Sequence, residues 1–193
     1  IIWNIRLPRT LVAMLVGANL AVSGALLQGV MRNPLADPHL IGVSSGAGLF
    51  GIFLLVVVPQ YDHFLTPAAF IGATLAAFII YLLSWKDGVS PLRIVLAGVA
   101  VSAFLGSGIS AMLTFYSDRV HGALIFMVGG LAAKSWPDLS TILPYSIIGL
   151  LLAVAGSKQM NIMMLGDSNA RNLGTRVELS RLLITATATL LAA

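Results

Sequence analysis

Uncharged apolar runs of about twenty residues dominate this sequence and constrain its fold more than any other feature. The first run, residues 10–30, contains no Asp, Glu, Lys or Arg. A helix needs about 20 residues to cross the hydrocarbon core of a bilayer, where the backbone polar groups must be satisfied internally. Charged residues make up only 9% of the chain, whereas a soluble domain carries about 25%. The sequence therefore predicts an all-α, polytopic transmembrane helical bundle.

The apolar runs and the polar breaks between them predict where the chain crosses the membrane. The predicted spans are residues 10–30, 41–58, 65–85, 92–116, 139–156 and 182–193. The chain begins with Ile-Ile-Trp rather than Met, and its last run is shorter than about 20 residues. We therefore expect residues 1–193 to form a single membrane domain that is truncated at both ends. Residues 119–133 are apolar over too short a stretch to cross, and they predict a short half-inserted or interfacial helix, which is external in the orientation derived below.

The longest polar stretch, residues 156–181, separates two apolar runs and must lie outside the lipid. It contains four of the eleven basic residues and two of the seven acidic residues. One interpretation is an ordinary solvated loop. The other is a docking surface for a soluble partner. In that case residues 157–178 would form a cytoplasmic segment that couples the membrane domain to the partner.

A short helix is predicted inside this polar stretch. Asp167 or Ser168 could cap a helix that opens at Asn169, and Gly174 could end it. Such a helix would bury Ala170 and Leu173 and expose Arg171 and Asn172.

Two predicted spans carry small residues at every fourth position. In the first span these are Ala13, Gly17, Ala21, Ala25 and Gly29, and in the fourth they are Gly98, Ser102, Gly106, Ser110 and Thr114. Such a stripe lets another helix approach closely in lipid. In the fourth span, the stripe is interpreted either as plain helix packing or as the mildly polar lining of a pathway. The polar residues of the first span, Asn19, Ser23 and Gln28, need partners inside a bundle.

The distribution of Lys and Arg between alternate connections predicts the orientation. One set of connections contains seven: Arg32, Lys86, Arg93, Lys158, Arg171, Arg176 and Arg181. The other set contains four: Arg6, Arg9, Arg119 and Lys134. Because basic residues favour the cytoplasmic side, the polar stretch is predicted to be cytoplasmic. Arg6 and Arg9 then lie outside, where they would anchor lipid phosphates or dock an acidic external partner.

The predicted spans contain no acidic residue, because all seven Asp and Glu fall in connections. Proton-driven transporters usually need an ionisable residue within the membrane. No nucleotide-binding loop, catalytic triad or metal-ligand motif is present, and the chain has no cysteine. We therefore expect no catalytic residue, no metal site, no cofactor and no nucleic-acid partner. A passage without its own energy source suggests that a separate ATPase supplies the energy.

Several motifs, in this order, resemble the FecCD-type permeases. They are residues 6–11 (RLPRTL), 33–38 (NPLADP), 42–48 (GVSSGAG), 127–130 (MVGG) and 160–174, with its Leu-Gly-Asp and Leu-Gly pairs. These permeases are the membrane subunits of bacterial ABC importers for iron–siderophores, haem and cobalamin, and the vitamin B12 importer permease is one of them. The resemblance covers essentially the whole chain. It implies a fragment of a ten-helix permease of the bacterial cytoplasmic membrane.

The resemblance also implies partners and site residues. The partners are a second permease copy, ATP-binding cassette ATPase subunits, an extracytoplasmic substrate-binding protein and membrane lipid. Arg6 and Arg9 match the arginines that dock the binding protein. The cytoplasmic gate corresponds to Asn33, Pro34, Leu35 and, more weakly, Ser90. The stripe of small residues between positions 98 and 114 corresponds to the lining of the transport pathway. ATPase coupling corresponds to Leu165, Gly166, Asp167, Ser168, Ala170, Arg171, Leu173 and Gly174.

Three functions follow as hypotheses. The first is the permease subunit of an ATP-driven importer for a metal chelate, with an iron–siderophore first and haem or cobalamin as the other candidates. The second is an ion-coupled secondary transporter. The third is a membrane scaffold that transports nothing. The motifs are shared among chelate permeases, so they do not select the substrate.

Overall fold

The computed structural model describes residues 2–38, 42–85, 91–132 and 134–193. Within these residues the α-helices are α1 (Leu7–Met31), α2 (Val43–Val56), α3 (Leu65–Leu83), α4 (Pro91–Phe115), α5 (Val120–Val128), α6 (Trp136–Met164), α7 (Asp167–Asn172) and α8 (Val177–Ala192). The chain divides into two compact units. The first unit comprises Ile1–Ala36 and Gly130–Ala192, and the second comprises Asp37–Gly129.

Four helical stretches in the described residues are long and apolar enough to cross a membrane. They are Ile2–Met31, Pro59–Leu83, Leu92–Phe115 and Trp136–Met164. The α2 helix is equally apolar but only 14 residues long. The fold is therefore an all-α bundle of apolar helices, as the sequence predicts. Which residues of each helix lie inside the bilayer stays a prediction.

Helix α6 continues well past residue 156, where the fifth predicted span ends. Residues 157–164 contain neither Gly nor Pro, so nothing in the backbone stops the helix before Gly166. Gly166 has a φ of +102°, which an L side chain rarely adopts. Likewise, α8 begins at Val177 rather than at residue 182. The polar stretch is thus largely helical, and only residues 165–166 and 173–176 lie between its helices.

In the first unit, α1 packs against α6 and α8 through polar as well as apolar side chains. The Asn19 amide donates a hydrogen bond to Ser146 Oγ of α6 at 2.7 Å, and Ser23 Oγ donates to the Ala188 carbonyl of α8 at 2.7 Å. All of these side chains are buried. The prediction that Asn19 and Ser23 find partners inside a bundle is confirmed, whereas the Gln28 side chain is exposed.

The small-residue stripe of α1 makes a close helix contact at its Gly29 end but not at Gly17. A Cβ at Gly29 would lie 2.9 Å from the Met160 side chain of α6, so the helices do approach closely there. A Cβ at Gly17, however, would meet no described atom within 4 Å. The buried face instead includes Val12, Leu27 and Val30. Close approach along the rest of the stripe stays a prediction, because helical spacing defines a face but does not determine what meets it.

In the second unit, α2 packs closely against α3. A Cβ at Gly46 would overlap the carbonyl oxygen of Gly72, and a Cβ at Gly72 would overlap that of Gly46. The other end of α2 packs against α5, where Ile52, Val56 and Ala123 form a buried apolar cluster. The GVSSGAG motif thus supplies a helix surface with no side chain at its closest contact.

Three acidic residues of the described part of the chain, Asp138, Asp167 and Glu178, lie in the first turns of α-helices. All three lie outside the predicted spans, and their position outside the bilayer stays a prediction. Asp138 is in the first turn of α6, where its carboxylate accepts hydrogen bonds from Ser135 N at 2.9 Å and Ser135 Oγ at 2.7 Å. Glu178 is the second residue of α8. Acidic side chains are favoured in the first turn of a helix because they offset the partial positive charge there.

Candidate functional site

The short helix α7 projects from the first unit between two glycines that reverse the chain. Gly166, with φ +102°, separates it from α6, and Gly174, with φ +78°, separates it from α8. The Gly166 amide donates to the Met163 carbonyl at 3.1 Å, and the Gly174 amide donates to the Arg171 carbonyl at 2.9 Å. Positive φ at both positions requires glycine, which explains the two Gly residues of the 160–174 motif.

Helix α7 buries one face and exposes the other. Ala170 is fully buried, as predicted, and Ser168, Arg171 and Asn172 are exposed. Leu173 was predicted to be buried, but it is 62% exposed. It follows the helix immediately before the left-handed Gly174, so it leaves the buried face. Leu165 is also exposed. Two large apolar side chains therefore stand in solvent at the ends of α7.

The helix opens at Asp167, two residues earlier than predicted. The Asp167 carboxylate lies within ion-pair distance of two arginines. Asp167 Oδ1 lies 2.7 Å from Arg32 Nη2, and both carboxylate oxygens lie 3.0 Å from Arg181 Nη2. The carboxylate therefore connects the end of α1, the start of α7 and α8.

Arg181 is the buried member of this ion-pair network. Its side chain is 1% exposed, and it also faces Glu178 at 3.8 Å across one turn of α8. Glu178 in turn lies 3.5 Å from Arg171 on α7. A buried guanidinium is stable only when nearby carboxylates compensate its charge, so these contacts fix α7 on α8.

Sequence reasoning missed the roles of Arg32, Glu178 and Arg181. Asp167 and Arg32 are 135 residues apart, and no local pattern predicts that contact. Glu178 and Arg181 carried a weak signal, since opposite charges three residues apart share a helix face. Arg181 is also the last charge before the apolar run that ends the chain.

The predicted gate residues form a tight turn directly after α1. Arg32 ends the helix with φ +49°. Asn33 Oδ1 accepts a hydrogen bond from the Leu35 amide at 2.9 Å, and the Asn33 carbonyl accepts one from the Ala36 amide at 3.1 Å. Leu35 is 80% exposed, and Asn33 and Pro34 are exposed as well. Ser90, the weaker gate prediction, lies outside the described residues.

The small-residue stripe of α4 has two parts with different surroundings. A Cβ at Gly42, before α2, would lie 2.9 Å from Ser102 Oγ and 3.6 Å from the Gly98 carbonyl, so this part is packed within the second unit. At Gly106 a Cβ would meet no described atom within 4 Å, and Ser110 and Thr114 are exposed. Plain packing explains the first part, and a pathway lining stays a prediction for the second.

The predicted external arginines lie near a pair of tryptophans. Arg6 and Arg9 are exposed, and Arg9 Nη2 donates a hydrogen bond to the Ala132 carbonyl. Trp3 and Trp136 pack with ring centroids 5.4 Å apart, and Trp136 Nε1 donates to the Trp3 carbonyl at 3.1 Å. These contacts hold the start of the chain on the start of α6.

A polar cleft of about 330 Å³ adjoins α7 on the first unit. Lys158, Gln159, Thr175, Arg176 and Ser180 contribute its polar side chains. Together with the exposed face of α7, the cleft forms a mixed basic and apolar surface.

Known proteins with similar sequences are permeases of import systems. The chain is 39% identical to the Fe(3+)-citrate import system permease protein YfmD of Bacillus subtilis, over 95% of this chain and 55% of that protein. It is 36% identical to the cobalamin import system permease protein BtuC of Halobacterium salinarum, over 100% of this chain and 53% of that protein. It is 42% identical to the hemin transport system permease protein HmuU of Yersinia pestis, over 94% of this chain and 56% of that protein.

The fold is similar to that of a solved transporter assigned to the metal-chelate ABC type, in an inward-facing conformation. The TM-score is 0.89 at 28% identity, over 99% of this chain and 62% of that one. This chain spans little more than half the length of the curated relatives named above. With its apolar helices, it is a multi-pass protein of the cytoplasmic membrane. The FecCD transport family model matches residues 1–193, and the chain belongs to that family.

Proposed function

We propose that this chain is the membrane-spanning permease part of an ATP-driven importer that carries a metal chelate across the cytoplasmic membrane. An iron–siderophore is the first candidate substrate, and haem or cobalamin are the others. Relatives named for Fe(3+)-citrate, hemin and cobalamin import support this class of substrate. The permease itself does no covalent chemistry, and ATP is hydrolysed by a separate subunit.

The shape of α7 is the observation that carries this function. Its base is fixed by the ion pairs of Asp167 with Arg32 and Arg181, while Leu173 and Arg171 stand in solvent. An exposed arginine on a rigid support can anchor an interface, and the exposed leucine beside it adds apolar area that a partner can bury. We propose that these exposed residues, with Leu165 and Ser168, contact the ATPase, and that buried Ala170 lets α7 lie close to the unit.

Further partners complete the assembly. A second copy of the permease would form the pathway with this one, and Gly106, Ser110 and Thr114 would contribute to its lining. An extracytoplasmic binding protein would dock on Arg6 and Arg9 through acidic side chains. ATP binding and hydrolysis would shift the permease between inward-open and outward-open states by favouring one of them. Residues 33–35 would then open or close the cytoplasmic end.

Co-purification with two reciprocal variants tests the proposed function. The full-length permease is purified in detergent with its ATPase, and the binding protein is added afterwards. We expect the double variant Arg171→Ala with Leu173→Ala to hold at least about tenfold less ATPase, the loss that a binding hot spot causes. The matched variant Arg6→Ala should retain the ATPase and bind the binding protein more weakly.

The unsubstituted permease is the first control in this experiment. If it folds but retains no ATPase, the coupling role of α7 is wrong, and an ion-coupled transporter becomes the leading hypothesis. Uptake that stops with an uncoupler but not with ATP depletion would then establish that alternative. If both variants retain the ATPase equally, the docking surface lies elsewhere on the permease.

A further inference from the structure

The Asp167 carboxylate, whose side chain is 34% exposed, has one buried partner and one exposed partner, and this difference suggests a mechanical role. Arg181, its partner on α8, has a side chain that is 1% exposed. Arg32, its partner at the end of α1, has a side chain that is 38% exposed. Breaking a buried ion pair leaves an uncompensated charge and is strongly unfavourable, whereas an exposed pair is easily exchanged for water. Asp167 is therefore held firmly to α8 and reversibly to α1.

Arg32 is directly connected to the predicted gate. It is the residue that ends α1, and the next three residues form the turn closed by Asn33 Oδ1 and the Leu35 amide. Because that turn is short and internally hydrogen-bonded, a displacement of Arg32 moves Leu35 with it. Residues 33–35, the gate turn, are thus joined to α7 through the ion pair in which Arg32 Nη2 lies 2.7 Å from Asp167 Oδ1.

We infer that Asp167 is a positioning residue that transmits movement of α7 to the gate turn, and that it does not itself contact the ATPase. Its carboxylate faces inward to Arg32 and Arg181, while Arg171 and Leu173 face solvent. This role rests on the proposed function, since it requires an ATPase that moves α7. It revises the sequence-based assignment, in which Asp167 belonged to the contact surface together with Ser168 and Arg171.

A thiol at position 35 of the gate turn reports on this transmission without requiring a known substrate. Leu35→Cys is introduced into the full-length permease in a background free of other cysteines, and the permease is assembled with its ATPase. A bulky maleimide then labels the thiol in the absence of nucleotide and after trapping with ATP and vanadate. We expect the labelling rate to change at least about fivefold on trapping, the lower end of usual allosteric couplings.

Two variants remove the ion pair between Arg32 and Asp167, each by changing one of the two partners. In Arg32→Gln, which leaves the pair of Asp167 with the buried Arg181 in place, we expect the complex to retain its ATPase and its basal ATP hydrolysis. Asp167→Asn also removes the charge that compensates Arg181, so we expect it to bind the ATPase more weakly. The response of the thiol to trapping should fall below about twofold in both, and the double variant should be no worse than either single one, because they break the same contact. Asp167→Glu, which keeps the charge, should restore most of the response.

Asp62→Asn provides the matched control, because it makes the same chemical change at a side chain that is 73% exposed in the second unit. It should respond to trapping as the unsubstituted complex does. If Asp167→Asn fails to assemble, Arg32→Gln decides alone, because Arg32 is partly exposed and its loss leaves the pair of Asp167 with Arg181 in place.

Two results would overturn the positioning role while leaving the proposed function intact. In the first, both variants respond to trapping like the unsubstituted complex. In the second, Asp167→Asn loses the ATPase while Arg32→Gln keeps both the ATPase and the full response of the thiol, which would give Asp167 a role in docking and none in transmission. If the unsubstituted permease binds no ATPase at all, the proposed function is wrong and this role is wrong with it.

Discussion

The contact between Gly46 of α2 and Gly72 of α3 predicts an unusually large cost for adding one methyl group. A Cβ at position 46 would overlap the Gly72 carbonyl oxygen and would lie 2.6 Å from the Ala76 Cβ. Carbon atoms in good contact are about 3.5–4.0 Å apart, so Gly46→Ala requires α3 to retreat by about 1 Å. The obstacle is a backbone atom, which cannot rotate away as a flexible side chain can.

The expected magnitude is the difference between two opposing effects. Overpacking costs about 1–3 kcal/mol, and a backbone obstacle places this site at the upper end of that range. Alanine gains about 0.5–1 kcal/mol over glycine in a helix interior. We therefore expect Gly46→Ala to lower the free energy of unfolding by about 2 kcal/mol. Gly72→Ala should cost about the same, since its Cβ would overlap the Gly46 carbonyl oxygen and approach Phe50 within 2.8 Å.

Equilibrium unfolding of the full-length chain in mixed micelles measures both effects, with helicity followed by circular dichroism. The matched control is Gly122→Ala in α5, where a Cβ would meet no described atom within 4 Å. The double alanine variant should cost less than the sum of the single ones, because the separation forced by the first methyl group makes room for the second. The reasoning is refuted if Gly46→Ala is as stable as the parent or as Gly122→Ala.

Two further predictions concern buried and terminal hydrogen bonds of the first unit. Ser146→Ala removes the acceptor of the Asn19 amide. It should lower the free energy of unfolding by about 0.6–1.7 kcal/mol in the same experiment, the usual contribution of an interhelical hydrogen bond in a membrane. An unchanged free energy of unfolding would mean that the amide finds another partner. Ser135→Ala removes one hydrogen bond to Asp138 at the start of α6 and should cost about 1 kcal/mol. It should speed hydrogen exchange in the first turn of α6, and unchanged exchange there would contradict this interpretation.

Hydropathy predicts where the long apolar helices lie because apolar length is a local property of the sequence. Their packing faces were not predictable in the same way. The α1 stripe of small residues has the spacing of a contact face, yet Gly17 has no close described neighbour and the polar Asn19 and Ser23 lie inside the unit. Which face is buried depends on helices more than 100 residues away in sequence, and spacing alone does not contain that information.

The short helix α7 was predictable in existence but not in detail. A capping residue and a terminal glycine indicate a helix within the polar stretch, and Gly174 ends it with positive φ as expected. The start was misplaced because the Asp167 side chain was interpreted as a local cap. It forms ion pairs with Arg32 and Arg181 instead. A carboxylate close to two guanidiniums gains more from them than from one backbone amide, so tertiary contacts override the local signal.

The charges of the polar stretch consequently belong to two different layers. Asp167 and Arg181 form an inner layer that fixes α7, whereas Arg171 and Leu173 form an outer layer that is free to meet a partner. Glu178 lies between them, within ion-pair distance of both Arg181 and Arg171. A variant that removes Asp167 together with outer residues would therefore disturb the support and the contact surface at once. Substitutions confined to the outer layer test docking, and Arg32→Gln, which leaves Asp167 paired with Arg181, tests transmission, so the two roles are experimentally separable.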